Sequence, residues 1–373
     1  MMNGEWRMNI AETLIGLVSR YSPSGSEGEA VAWLVERMKT LGFTDAFMDE
    51  AGNAVGVMGT GPRQVVLLGH IDTVPGEIPV RVLPSGVGLD MAAKSAACST
   101  DGVLYGRGAV DAKGPLACFT DAVARVGAVE GWQFVVIGAV EEERDSEGAR
   151  FIVDKYRPDF LIVGEPNRWD RVALGYKGSA WAEITVRRAQ SHTASGEQTA
   201  AEAAVEIWLA IRALAEAFNA GKTRAFDKVL PTLRNIEAGQ DGFAQWARLS
   251  VGVRLPVEVS PEQWIDQLRE IASEAEVRRV GYAVPAWGCE KNTPLVRALL
   301  SGIRSQGGGP SFVYKTGTAD LNIVAPVWGC PAAVYGPGDS ALDHTPDEHI
   351  SLEEYGKAVD VLSAALMSLL KKL

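Results

Sequence analysis

Short apolar runs alternate with stretches of helical period through the first part of the chain. Positions 65–68 (Val-Val-Leu-Leu), 132–140 and 160–163 are apolar runs of strand length, the pattern of strands buried on both faces. Positions 53–58 read as a further strand. Ser26-Glu27-Gly28-Glu29 has the form of a capping box. It opens an amphipathic helix that ends at Leu41, with Gly42 as its stop. Positions 114–126 read as a second helix. Strands alternating with helices predict a largely parallel α/β sheet.

The pattern changes near Gly175. Positions 181–187 alternate as a strand with one exposed face, 199–218 form a long Ala-rich helix, and 247–255, 261–275 and 277–284 read as strand, helix and strand. That outline is a small α+β module of ferredoxin-like arrangement. The α/β character returns after Trp287 and closes with an amphipathic helix over 351–370. The expected organisation is a discontinuous catalytic domain, residues 1–174 and 288–373, with a lid inserted at 175–287. Positions 82–101 are loop-like and rich in Gly, Ser and Ala, without an assigned role.

The 373 residues suffice for two domains and a large core. The N-terminal residues lack the apolar centre of a signal peptide, and no apolar stretch is long enough to span a bilayer. Four scattered cysteines without a C-x-x-C pair point away from a disulfide framework and toward the cytoplasm. A net charge of −11 argues against a general nucleic-acid binder.

His70-Ile71-Asp72 follows the 65–68 run directly. Alternate residues of a strand share a face, so His70 and Asp72 leave the strand side by side, where a carboxylate can orient a metal-binding imidazole. Strand C-termini are also where open α/β sheets place their ligands. Alone, a strand-end His is more often structural. Four further motifs stand at strand ends or in adjoining loops: Asp111 in Gly106–Gly114, the run Glu141-Glu142-Glu143, Glu165 after Gly164, and His344 in a loop. Each has an ordinary explanation: a helix-start carboxylate, a solvated charge run, a loop acid, an exposed loop His. Together they supply two histidines and several carboxylates, the donor set for a pair of divalent ions sharing a bridging carboxylate.

In this order the motifs, from Gly69-His70-Ile71-Asp72-Thr73-Val74-Pro75 to His344, resemble the M20 metallopeptidases over nearly the whole chain. That family includes aminoacylases, acetylornithine and succinyl-diaminopimelate deacylases and glutamate carboxypeptidases. The resemblance implies a di-zinc aminopeptidase-like α/β domain with an inserted dimerisation (lid) domain, a homodimer, and two zinc ions, with cobalt as the alternative metal. It implies that His70, Asp111 and Glu165 hold one ion and Asp111, Glu143 and His344 the other, with Asp111 bridging. Asp72 would orient His70, and Glu142 would be the general base. A one-residue slip, with Glu141 as base and Glu142 as ligand, stays open. His192 matches the family histidine that reaches the partner subunit's site and stabilises the oxyanion. Arg254 matches a lid arginine that grips a substrate carboxylate. Gly317 and Thr318, in the motif opened by Lys315, could present backbone donors to such a carboxylate or could equally form a structural turn.

Several local features resemble one branch: Gly76-Glu77-Ile78-Pro79-Val80-Arg81, Val140 before the glutamates, Gly175-Tyr176-Lys177-Gly178 and Lys315-Thr316-Gly317-Thr318, although the stretch from Leu83 to Thr100 is longer than that branch usually shows. Its members release lysine or ornithine from an amino-group carrier protein in lysine and arginine biosynthesis. There the scissile amide joins the γ-carboxyl of the carrier's C-terminal glutamate to the α-amino group of lysine. The carriers are acidic, and the pairs Arg187-Arg188 and Arg278-Arg279 are the only local candidates to meet them. The competing expectations are an acetylornithine or N-acetyl-lysine deacetylase acting on small N-acylated amino acids, a dipeptidase or a glutamate carboxypeptidase. From another class comes a catalytically silent binding protein. Neither a nucleic acid nor a membrane is expected as a partner.

Overall fold

The computed structural model describes residues 4–84, 102–192 and 194–371. The chain divides into two compact units. One runs to Leu174 and includes Cys289–Val313 and the residues from Ala319 onward; the other is Gly175–Gly288 with Tyr314–Thr318. The short stretch Tyr314–Thr318 therefore groups with the insertion, not with the 288–373 segment.

In the first unit the sheet order is Asp45–Met48, Ala54–Met58, Trp132–Ala139, Arg63–His70, Phe160–Gly164, Ala332–Val334, Arg171–Tyr176. The stretch from Trp132–Ala139 to Ala332–Val334 is parallel. Ala54–Met58 joins it antiparallel, as does Asp45–Met48 to Ala54–Met58, and Val334 pairs antiparallel with Ala173. The parallel character is thus confined to the centre. Parallel strands must be covered on both faces, and Val65–Leu68 and Phe134–Ile137 are fully buried. The helix Lys113–Val126 approaches closely because two strands are glycine at the contact. A Cβ at Gly69 would lie 3.3 Å from Leu116 Cβ, and one at Gly138 would lie 3.0 Å from Leu116 Cδ2. The helix Leu352–Leu370 and the helix Gly4–Val18, which the apolar pattern did not reveal, also belong to this unit.

The expected capping box at Ser26 does not form. The helix spans Gly28–Thr40 with Glu27 at its N-cap and no side-chain cap bond. Glu27 instead turns back and accepts from Gly25 N at 2.9 Å. Arg81–Pro84, Gly102–Tyr105 and His349–Ser351 form a small antiparallel sheet. Residues 82–84 are therefore strand, not loop. The rest of the 82–101 stretch lies outside the described residues. No helix among the described residues is long and apolar enough to cross a membrane.

The second unit has its own core. Its antiparallel sheet runs Leu230–Gln240, Ala244–Leu255, Gly178–Ala189, Glu276–Val284. With helices Ala200–Asn219 and Pro261–Ile271 this is the ferredoxin-like βαββαβ order. Capping boxes do form here, at Thr199 with Glu202 and at Ser260 with Gln263. Ile184, Val186, Leu249, Trp264 and Leu268 fill the space between sheet and helices. Leu230–Gln240, absent from the sequence expectation, is an edge strand whose side chains are mostly exposed. It carries no apolar alternation to read.

Candidate metal centre

Parallel register brings the candidate residues together. Gly69 pairs with both Gly138 and Gly164, and His70 with Ala139. Neighbouring strands therefore end level, and the chain leaves them into Asp72, Glu141–Glu143 and Glu165. Ala332–Val334, parallel to Phe160–Gly164, leads to the loop carrying His344. Asp111 precedes the helix Lys113–Val126. After Ala139 the backbone turns sharply: Glu141 has φ +62°, and its carbonyl accepts from the amides of Arg144, Asp145 and Ser146.

Asp111 stands at the middle of the cluster. Its Oδ1 lies 3.2 Å from His70 Nε2, and its Oδ2 lies 3.0 Å from His344 Nε2. His344 Nε2 is also 2.9 Å from Glu143 Oε1. Two donor sets overlap at Asp111, one with His70 and Glu165 and one with Glu143 and His344. In each set, one ligand atom per residue falls within 4.8 Å of the others. Each set could hold a metal ion. Imidazole nitrogen and carboxylate oxygen suit zinc and its neighbours in the first transition row. Glu142 is adjacent, in a third grouping with His70 and Glu143.

Asp72 does more than face His70. The Nδ1 of His70 is 3.1 Å from the Asp72 carbonyl and 3.4 Å from Asp72 Oδ1. The same buried carboxylate accepts from Ser24 Oγ at 2.7 Å and from the amides of Glu142 and Glu143 at 3.0 and 3.1 Å. It thus fixes the glutamate loop as well as the imidazole. Glu141 turns away and pairs with Arg144 at 2.6 Å.

The charges are mutually dependent. Burial favours neutral His70, but Asp111 and Asp72 outweigh it and raise its pKa well above the usual imidazole range. Asp111 and Glu143 raise His344 to about 10. Burial opposes the Asp111 charge, yet His344 and His70 hold its pKa below the usual carboxylate range. Burial pushes Glu142 well up, opposed by His70 and reinforced by Glu165 and Asp320. The carboxylates favour positive charge on the two imidazoles, as they would favour a cation, so a cation bound here would displace protons.

The remaining candidates lie in the second unit. Arg254, on Ala244–Leu255, donates through Nη1 to Thr318 Oγ1 at 3.2 Å, which joins two of the expected substrate residues. Lys315 and Gly317 fall in the same Tyr314–Thr318 segment. His192 is exposed in a loop, its Nδ1 accepting from Ala194 N at 3.1 Å. Arg188 pairs with Glu274 and Arg278 with Glu183, which lowers the positive charge available at the basic pairs. Two residues beside the cluster had no local signal. Glu348 and Arg107 are buried and bonded to one another, and Glu348 accepts from the Asp111 amide. Their pairing spans 241 positions of sequence.

The sequence model for peptidase family M20/M25/M40 matches residues 66–368. The chain is 44% identical to the [LysW]-lysine hydrolase of Deinococcus radiodurans, covering 94% of each. It is 28% identical to the [LysW]-lysine/[LysW]-ornithine hydrolase of Saccharolobus solfataricus, covering 98% of each. Among solved structures it is similar to aminopeptidase PepT of Bacillus cereus, with TM-score 0.76, 17% identity and 98% and 99% of the two chains covered. The YXEP protein of Bacillus subtilis, described as a dinuclear metal-binding peptidase of the M20 family, gives TM-score 0.71 at 13% identity, with 99% of each chain covered.

Proposed function

The chain belongs to peptidase family M20/M25/M40 and is a metal-dependent amide hydrolase; from that premise we propose that it releases lysine or ornithine from the γ-glutamyl C-terminus of an amino-group carrier protein. The hydrolases named for that carrier conjugate align with it nearly end to end. For the chemistry, the observation that carries most is Asp111, with one carboxylate oxygen toward each of two histidines.

In this reading His70, Asp111 and Glu165 hold one ion and Asp111, Glu143 and His344 the other, zinc being the metal the donor set suits and cobalt its substitute. Bound divalent ions supply Lewis acidity to water and to the scissile carbonyl. Glu142 is the base. It takes a proton as the water oxygen adds to the γ-carboxamide carbon, and it delivers that proton to the leaving amine as the C–N bond breaks. The products are the carrier's γ-carboxylate and the free amino acid. Two features favour Glu142 over Glu141 in this role: Glu141 is occupied by Arg144, and Asp72 holds Glu142 beside the donor sets. Arg254 and Lys315, with the Gly317 and Thr318 turn, are assigned to the substrate carboxylates, and His192 to the oxyanion of a partner subunit's site.

Dimerisation through the second unit accompanies that assignment. Val205 and Leu209, one turn apart on Ala200–Asn219, are 47% and 53% exposed, and Ile236 on the edge strand is 45% exposed. Amino-acid biosynthesis in the cytoplasm is the setting this substrate implies.

The experiment is a Glu142→Ala variant beside the wild type, with metal content and turnover measured on both. The expected result is two metals per chain in each, chelator-sensitive turnover in the wild type, and a fall of about 10²-fold or more in the variant. Retained turnover in the variant would move the base elsewhere, and a metal-free, chelator-insensitive wild type would end the reading.

A further inference from the structure

Glu348 is fully buried and makes full use of its carboxylate. Its Oε1 accepts from Val110 N at 2.9 Å and from Asp111 N at 3.1 Å, and its Oε2 accepts from Arg107 Nη1 at 2.8 Å. Arg107, 6% exposed, also donates through Nη1 to the Thr345 carbonyl at 3.1 Å and through Nε to the Gly76 carbonyl at 2.9 Å. One ion pair thus ties three loops: the one after His70 and Asp72, the one ending in Asp111, and the one carrying His344.

We propose that Arg107 and Glu348 are positioning residues, a buried clamp that sets Asp111 and His344 in register for metal binding. The inference rests on the metal-binding reading above. Stability gives little reason for the pair, since a buried ion pair is often matched or exceeded by apolar residues of similar volume. An apolar pair could not offer one oxygen to two successive amides, and those amides orient the peptide from which the shared carboxylate projects. Removal of such outer partners typically weakens metal affinity about 10–100-fold.

The test uses Glu348→Gln, Glu348→Ala, Arg107→Met and the Arg107→Met/Glu348→Ala double variant. Zinc affinity is read by chelator competition, site geometry by cobalt(II) absorption, and unfolding separately in chelator. Glu348→Ala should weaken zinc binding about 10–100-fold and alter the cobalt spectrum. Glu348→Gln, which keeps one acceptor oxygen for the two amides, should lose less. The double variant should lose less than the sum of its parts, because both substitutions remove one unit. Wild-type zinc affinity and cobalt spectrum in Glu348→Gln and Arg107→Met, even with lowered unfolding temperature, would leave the clamp a purely structural pair and overturn the proposal. A wild type that binds no zinc would instead fail the underlying reading, and the clamp with it.

Discussion

At the scale of single residues, environment separates carboxylates that look alike in sequence. Glu141, Glu142 and Glu143 are adjacent, yet one is buried and pairs with an arginine, one is half-buried beside the donor sets, and one faces His344. Asp121 is a carboxylate outside the site whose surroundings carry a separate prediction. Burial raises it from 3.8 to about 7, although Thr13 and Tyr355 donate to it at 2.5 and 2.6 Å. The folded state then keeps a proton that the unfolded chain has released. The stability this contributes is fully present below the unfolded value and is lost as pH rises through about 7. Asp121→Asn has no such proton, so it should gain on the wild type across this window by on the order of 1 kcal/mol per pH unit. Urea midpoints at about pH 5 and about pH 8 check this; a difference that does not change with pH would contradict it.

At the scale of elements, level strand ends build the centre, and close packing behind them keeps it in place. Gly336 shows how little room there is. A Cβ there would fall 2.7 Å from the Glu165 carbonyl and 2.7 Å from Pro115 Cβ. Gly336→Ala should therefore shift the Glu165 backbone, cost about 1–3 kcal/mol, and weaken metal binding measured by chelator competition. Wild-type affinity in that variant would show that Glu165 tolerates the shift or holds no ion. The same level of organisation explains what was legible. His70, Glu143 and Glu165 stood out because apolar runs marked the strand ends before them, Asp111 because a helix start followed it, and His344 because its loop completed the donor set. The antiparallel flank did not stand out, because a short buried strand such as Ala54–Met58 reads the same in either direction. Leu230–Gln240 was hidden by its exposure. Ser26 failed as a cap because Glu27 took a local bond that no pattern reveals. Arg107 and Glu348 were silent because each meets its partner across the fold.

At the scale of the molecule there are two cores: a sheet with a parallel centre that brings the candidate metal donors together, and a ferredoxin-like unit that carries Arg254, Thr318 and His192. If that second unit also dimerises the protein, Leu209→Glu combined with Ile236→Glu should give monomers in solution. Metal binding should persist, and turnover should fall if His192 serves the partner's site. Dimers that survive both charges would put the interface elsewhere. The most direct measurement incubates the metal-loaded protein with a carrier protein bearing lysine on its C-terminal γ-glutamyl group. Intact mass and free lysine are then followed, beside N-acetyl-lysine, N-acetyl-ornithine and a dipeptide. Chelator-sensitive release of lysine from the conjugate, much faster than cleavage of the small amides, is the expected result. An intact conjugate alongside rapid hydrolysis of a small amide would contradict it.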